Sequence, residues 1–245
     1  MTPVSPRNKR VVEAARLHRS RERSSRGETL IEGPGLLSEA LAAGVLPTVL
    51  FALVDDVASR RLSDESQIPL VVVDELGLSR VAGTKRPRGP VGVITIPEPG
   101  IASVPGLLVA WGVSDPGNVG TMIRTAAAFD WGFGHTEGTA DPWAPKVLRA
   151  GAGAQFRSQI TSIANLEHLR RLSFVPMAAV VRGGQSPRDM APANYAVLIG
   201  EEGAGLPEPV VTESTVAVTI PMPGGTESLN AAVAAGMILY ELSKV

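Results

Sequence analysis

LLVAWGVSDPGNVGTMIRTAAAFD, residues 107–130, reads as a strand, a rigid turn and a helix in direct succession. Leu107–Trp111 is a continuous apolar run, the pattern of a strand buried on both faces. Asp115-Pro116-Gly117 is turn chemistry. Asn118–Phe129 then carries small and apolar residues at helical spacing around a single cation, Arg124. A doubly buried strand feeding a helix is the repeating unit of a parallel α/β sheet. Ligands of such sheets bind beyond the carboxyl ends of the strands, where Asn118 stands. Arg124 is therefore either a solvated helix residue or a catalytic arginine on a helix pinned by its cap, with Asn118 as that cap.

The same alternation extends in both directions. C-terminal to the opening stretch, Gly132–Thr136, Val175–Val181, Ala196–Ile199 and Val216–Ile220 read as strands. Pro145–Ala150 begins a helix, and Leu229–Leu242 closes the chain as another. In that last helix Leu229, Val233, Gly236, Met237 and Tyr240 form one stripe, expected to face the core. Its Ala and Gly content also permits close approach of a second helix. N-terminal to the opening stretch, residues 8–23 read as a helix with its arginines on the wet faces. Thr29–Glu32, Val49–Val54, Leu70–Val73 and Val91–Ile96 read as strands, with a helix over Leu36–Ala43 and a polar segment over Ser59–Gln67. PEPGIASVPG, residues 97–106, holds three prolines and two glycines and can propagate neither element. The expected organisation is an α/β domain over 1–96, a linker over 97–106 and a parallel α/β domain over 107–245, with helices on both faces of its sheet.

Composition narrows the function. Of 245 residues 44% are hydrophobic, enough for a sizeable core. Cysteine is absent, and His18, His135 and His168 are scattered without ligand spacing, so no metal site is expected. No apolar run reaches membrane-spanning length, and the basic N-terminus lacks the apolar segment of a signal peptide. A cytoplasmic protein without membrane contact is expected. Net charge is −1, but its distribution is uneven. Arg7, Lys9, Arg10, Arg16, Arg19, Arg21, Arg23 and Arg26 face only Glu13 and Glu22 in the first 26 residues, and Arg80, Lys85, Arg86 and Arg88 form a second basic knot. Residues 100–245 are mildly acidic, with nine basic and twelve acidic side chains. A front half of this kind meets a polyanion or simply solvates a basic helix.

Familiar catalytic signatures are missing. There is no GxxxxGK[ST] and no GxSxG. GAGAQF, residues 151–156, ends a glycine pattern in Phe156 and follows a helix instead of a strand, so it fails as a dinucleotide fingerprint. Three segments remain, each a loop after an expected strand. They are the opening stretch, VLIGEEGAGLP (197–207) and TIPMPGGTESLNAAVAAGMILYEL (219–242). Glycines in such loops let a backbone approach a ligand closely.

The order Asn118-x-Gly120-x-x-x-Arg124, then Gly200-x-Glu202-Gly203-x-Gly205-Leu206, then IPMPGGTESLN over 220–230 resembles the SpoU, or TrmH-type, RNA methyltransferases. PKVLRAGAGAQFR (145–157) is similar to that family's intervening helix, although Gly151 stands where relatives often have Ser. The front half resembles, more loosely, the ribosomal-protein-like substrate-binding domain fused to rRNA-modifying members, through Arg26 with Glu32-Gly33, EALAAG (39–44) and TKRPRGPVGV (84–93).

The resemblance implies a deep trefoil knot in the second domain, which generic topology rules would not produce. It implies a homodimer through the knotted domain, S-adenosylmethionine as cofactor with S-adenosylhomocysteine as product, no metal, and methyl transfer to a ribose 2′-hydroxyl of RNA. Asn118, Arg124, Glu202, Ser228 and Asn230 would be the catalytic set. Val181, Gly200, Glu202, Gly203, Ile220, Met222, Gly224, Ser228 and Leu229 would bind the cofactor. Arg7, Lys9, Arg10, Arg16, Arg19, Arg23, Arg26, Lys85, Arg86 and Arg88 would bind RNA. Glu201 stands where many relatives have Asn or a small polar residue, and the resemblance gives it no role.

The chemistry is consistent: the cofactor brings an activated methyl group, so the protein must bind and orient. Arg124 would be an unusual base, since an arginine stays protonated; stabilising the developing alkoxide is the alternative. The two-domain layout favours 23S rRNA as substrate, with a role in antibiotic resistance open. Alternatives are a tRNA ribose methyltransferase, a catalytically inactive RNA-binding homologue, and a nicotinamide oxidoreductase, which would need the missing dinucleotide fingerprint.

Overall fold

Apolar runs become strands in both halves of the computed structural model, which describes residues 2–98, 100, 104–225 and 227–243. Pro99 and residues 101–103 of the expected linker lie outside the described residues. The chain divides into two units: residues 1–98 with 143–156, and residues 99–142 with 157–245.

In the first unit, β1 (Glu28–Glu32), β2 (Val49–Leu53), β3 (Leu70–Val73) and β4 (Val91–Thr95) form a mixed sheet in the order β1-β4-β2-β3. β4 is antiparallel to β1 and β2, and β3 runs parallel to β2. Alternation sends Leu30, Phe51, Val73 and Val93 to one face, under Val11, Leu17 and Leu78. It sends Ile31, Leu50 and Ile94 to the other, where Leu36 and Leu37 meet Leu148.

Leu148 belongs to the segment 143–156, which the sequence boundaries leave in the second domain. Its side chains account for its placement with the first unit. Leu148 is fully buried there, Trp143 and Phe156 pack with their ring centres 6.0 Å apart, and Thr29 donates to the Trp143 carbonyl at 2.6 Å. Gly153 takes φ +78°, and a Cβ there would lie 2.9 Å from Glu39 Cβ. The glycines of GAGAQF thus serve a close packing contact. Glu32 completes the joint. Its side chain, only 8% exposed, accepts from Arg149 Nη1 at 3.0 Å, from the Arg88 amide at 3.0 Å and from the Thr84 hydroxyl at 3.4 Å.

The first helix departs from expectation. Instead of one helix over 8–23, the chain forms Lys9–Ala15, a 3-10 turn Arg16–His18 and Ser20–Arg26, broken at the extended Arg19. The break lets Leu17 enter the core. It also buries Arg23, 3% exposed, whose Nη1 donates to the Leu17 carbonyl at 2.9 Å. Arg23 therefore serves the fold and is not presented to a polyanion. The polar segment Ser59–Gln67 belongs to a helix, Val57–Ser66, whose N-cap Asp56 accepts from the Ser59 amide at 2.9 Å. The helix Glu75–Ala82, capped by Asp74, also escaped the sequence reading. Both are short, and their apolar faces are too narrow to set a period.

In the second unit, β5 (Leu107–Trp111), β6 (Gly132–His135), β7 (Ile160–Ser162), β8 (Val175–Ala179), β9 (Tyr195–Gly200) and β10 (Val216–Val218) form a wholly parallel sheet in the order β10-β8-β9-β5-β6-β7. Leu107 and Val109 pack with Leu166, Leu169 and Val210 on one face, and Leu108, Ala110 and Val197 are as fully buried. Both faces are covered, as the unbroken apolar runs require. The parallel sheet and the smaller α/β unit in front of it, both read from the sequence, are observed.

The closing helix, Ala231–Leu242, corrects an expectation. It buries Ala231, Ala232, Ala235, Ile238 and Leu239, whereas Val233, Met237 and Tyr240 are 51%, 44% and 56% exposed. The apolar helix offers two candidate faces, and the one where Ile238 and Leu239 stand with the alanines is inner because another helix packs beside it. A Cβ on Gly236 would lie 3.9 Å from Thr125 Cγ2 of the helix Pro116–Ala128.

The joint at Glu32 makes a first prediction. Glu32→Ala leaves the Arg88 amide and Arg149 without their acceptor and is expected to destabilise the first unit by about 2 kcal/mol, measured by urea denaturation. Arg149→Ala, at an exposed partner, should cost less.

Candidate active site

Parallel strand direction gathers the loops after β5, β8, β9 and β10 at one edge of the second sheet. The helix Pro116–Ala128 follows β5. Its N-cap is Asp115, which accepts from the Asn118 amide at 2.8 Å, and not Asn118 as expected. Pro116 fills the first helical position, where a missing N–H costs nothing. That places Asn118 in the first turn, half-buried, with its side chain free for other partners.

Those partners come from the other two motifs. Asn118 Nδ2 donates to Glu202 Oε1. Asn230 Nδ2 donates to the same Glu202 oxygen at 2.9 Å and to Asn118 Oδ1 at 2.9 Å. Asn230 is also the N-cap of the closing helix, its Oδ1 accepting from the amides of Ala232 and Val233 at 3.0 and 3.2 Å. The cap fixes the orientation of this amide. Because its oxygen faces the helix N–H groups, its NH2 must face Asn118 and Glu202. Beside this network Ser114 Oγ donates to Glu201 Oε1 at 3.1 Å, a contact the sequence reading did not identify.

The network borders a cleft of about 250 Å³. Val181, Gly200, Glu202, Gly203, Ile220, Met222, Ser228 and Leu229 line it, as expected of cofactor residues. Gly224 does not, because it sits out on the exposed loop after β10. Glu201, Ala204, Gly205, Val218 and Ile238 line it without having been foreseen. Only their position in Gly-rich or apolar runs beside the motifs could have flagged them. Gly200 is essential to the shape. A Cβ there would overlap the backbone of Gly205 and Leu206, so the 201–205 turn can fold back over the strand end only on a glycine. Gly205, at φ +69°, closes that turn with its amide on the Glu201 carbonyl at 2.8 Å. Thr219 ties the loops after β8 and β10 together. Its hydroxyl donates to the Val180 carbonyl at 3.1 Å and accepts from the Gly184 amide at 2.9 Å.

Arg124 stands apart from the network. It lies six residues beyond Asn118, about 600° around the helix and roughly 9 Å along it. It is exposed and makes no hydrogen bond or ion pair among the described residues. Ser228, also exposed, lines the cleft wall. At the same sheet edge, burial pushes the His135 pKa below its usual 6.5, partly opposed by the Asp141 charge. Among the described residues, no three His, Asp or Glu side chains converge as a metal site would require.

A parallel α/β unit with an apolar, glycine-walled cleft at the carboxyl edge of its sheet belongs to the class that binds a nucleotide-like ligand there. The sequence of residues 106–240 matches the SpoU rRNA Methylase family model, and residues 8–92 match an MRM3-like substrate binding domain. The chain belongs to the SpoU rRNA methylase family. It is 31% identical to the 23S rRNA (guanosine(2553)-2'-O)-methyltransferase RlmP of Bacillus subtilis, over 97% of this chain and 97% of that one. The solved structure of the SpoU methyltransferase AviRb from Streptomyces viridochromogenes, in complex with the cofactor AdoMet, superposes with a TM-score of 0.87 at 25% identity, over 97% of this chain and 98% of that one. An AdoMet-bound rRNA methyltransferase from Sinorhizobium meliloti gives 0.83 at 28% identity, covering 98% and 97%.

The double duty of Asn230 can be separated. Asn230→Asp keeps a capping oxygen but sets a second carboxylate against Glu202. The helix cap should hold, with thermal stability within about 1 kcal/mol of the parent. Turnover should fall at least about tenfold as the loops part. Asn230→Ala should lose both, and a thermal melt beside a single-turnover assay distinguishes the two.

Proposed function

We propose that this protein transfers a methyl group from S-adenosylmethionine to a ribose 2′-hydroxyl of 23S rRNA. The observation that carries the reading is the convergence of Asn118, Glu202 and Asn230 at the mouth of the cleft. The rRNA assignment rests on the full-length similarity to the Bacillus subtilis enzyme and on the substrate-binding domain in front. Gly200 and the 201–205 turn bring main-chain groups close to the cofactor, and Ile220, Met222 and Ile238 give its adenine apolar walls. When bound, the cofactor supplies the activated methyl group, and the protein needs only to align the attacking oxygen.

Glu202, Asn118 and Asn230 hold the three loops in register around that oxygen. Ser228 offers a hydroxyl at the cleft wall. Arg124 orients the RNA backbone, and its guanidinium stabilises the developing alkoxide. The trefoil knot of the family is expected around the cleft, supported by the likeness to AviRb. The working form is a homodimer. Val233, Met237 and Tyr240 are spaced by four and three residues along the closing helix and present one exposed apolar stripe for a second copy to cover. The work is expected in the cytoplasm. Among the described residues, no helix is long and apolar enough to cross a membrane.

Mapping 2′-O-methyl marks on total RNA from a deletion strain and its parent tests the substrate. One missing 23S rRNA mark is the expected result, and a missing tRNA mark instead overturns the assignment. Arg124→Ala should lower turnover by about a hundredfold or more while calorimetry finds S-adenosylmethionine affinity within about threefold of the parent. Met237→Glu should shift the sedimenting mass toward the monomer by placing a charge in the dimer contact.

A further inference from the structure

We propose that the first unit carries a pocket for one unstacked nucleotide of the RNA, a site that rests on the reading of this protein as an RNA-directed enzyme. The pocket opens where β1, β2 and β3 begin, with a volume of about 330 Å³. That is the lower end of the range for small-molecule sites, about 300 Å³ and above. Its floor is the half-buried Val49, with the core side chains Phe51 and Val93 beneath it, and its rim is charged. An apolar floor does not suit a phosphate, but it suits the face of a base.

Arg26 on the rim is unusually constrained. Its Nε and Nη2 donate to Glu28 Oε2 at 2.8 and 2.5 Å, and its Nη1 donates to the Glu13 carbonyl at 3.1 Å. Donors on all three guanidinium nitrogens are thus engaged in the plane of the group, which fixes that plane. The side chain remains 32% exposed. A guanidinium held this way makes a poor phosphate clamp and a good stacking platform, because a base needs only its face. Arg26 therefore changes role, from an expected phosphate contact to a base-stacking residue. The rim carboxylates are already partnered, Glu28 by Arg26 and Glu13 by Arg16 at 3.0 Å. Arg10, also on the rim, is exposed, and its guanidinium makes no hydrogen bond or ion pair among the described residues. Arg10 is the phosphate contact for the nucleotide whose base enters the pocket. Unstacked bases of single strands and loops are what RNA-binding proteins read in this manner.

Fluorescence anisotropy on the full-length protein tests the site, with a fluorescein-labelled single-stranded RNA of about twelve nucleotides and a blunt duplex of the same sequence as probes. Thr48→Trp fills the pocket mouth from an exposed position without altering charge, and Arg26→Lys keeps the charge but removes the plane. Each should weaken single-strand binding about tenfold and leave duplex binding within about twofold. Arg10→Ala should lower the salt slope of single-strand binding by about 0.7, the contribution of one phosphate. Single-strand affinity equal to the parent in both Thr48→Trp and Arg26→Lys overturns the pocket, as does a parent that prefers the duplex. Calorimetry with S-adenosylmethionine on the same samples reports on the second unit. Its failure there would overturn the enzymatic reading and leave the pocket result standing.

Discussion

One carboxylate oxygen of Glu202 accepts hydrogen bonds from two asparagines that lie 112 residues apart in the chain. The site depends on that convergence. Each loop has local ties of its own, such as the Asp115 cap and the Gly205 amide, but nothing local sets one loop against another. Joined through Glu202, the loops after β5, β9 and β10 constrain one another, and the cleft between them acquires a defined wall. Asn230 couples this arrangement to the fold. The amide oxygen that caps the closing helix forces the amide nitrogen toward Glu202, so helix formation and site geometry share a single side chain. A parallel sheet makes the meeting possible, because all its strands deliver their carboxyl ends to one edge.

The first unit is organised by a similar economy around Glu32. A carboxylate at the end of β1 holds the basic loop through the Arg88 amide and the returning helix through Arg149. The chain leaves the first unit and comes back to it over residues 143–156, to cover an apolar sheet face that the front half cannot cover by itself. Basic residues divide accordingly. Arg23 and Arg26 are fixed by internal partners, whereas Arg10, Arg19, Lys85 and Arg86 stand exposed.

Several features were legible from residue order. Leu107–Trp111 and Ala196–Ile199 are unbroken apolar runs, and burial on both faces follows directly from that pattern. Asn118, Glu202 and Asn230 stood out because they sit in glycine-bearing loops after such runs. Short helices were not legible. Val57–Ser66 is rich in Ser, Asp and Arg, and only its Asp56 cap marks it as helical. The cap of the helix Pro116–Ala128 lies three residues before the expected one, because Asp115 and Asn118 are both competent capping residues and local sequence cannot rank them.

The sequence by itself determined the strands other than β7, the parallel sheet they imply, and the three loops that meet at its edge. These depend on residue type and spacing within a few positions, which a linear chain records. Tertiary structure alone decided which face of the closing helix is buried, that residues 143–156 complete the first unit, that Arg23 is interior, and that Ser114 meets Glu201. Each of these depends on a partner distant in sequence. The closing helix shows why. Both of its faces are apolar, and the one bearing Ala235, Ile238 and Leu239 is inner because Pro116–Ala128 packs beside it, which leaves Met237 and Tyr240 outside however apolar those side chains are.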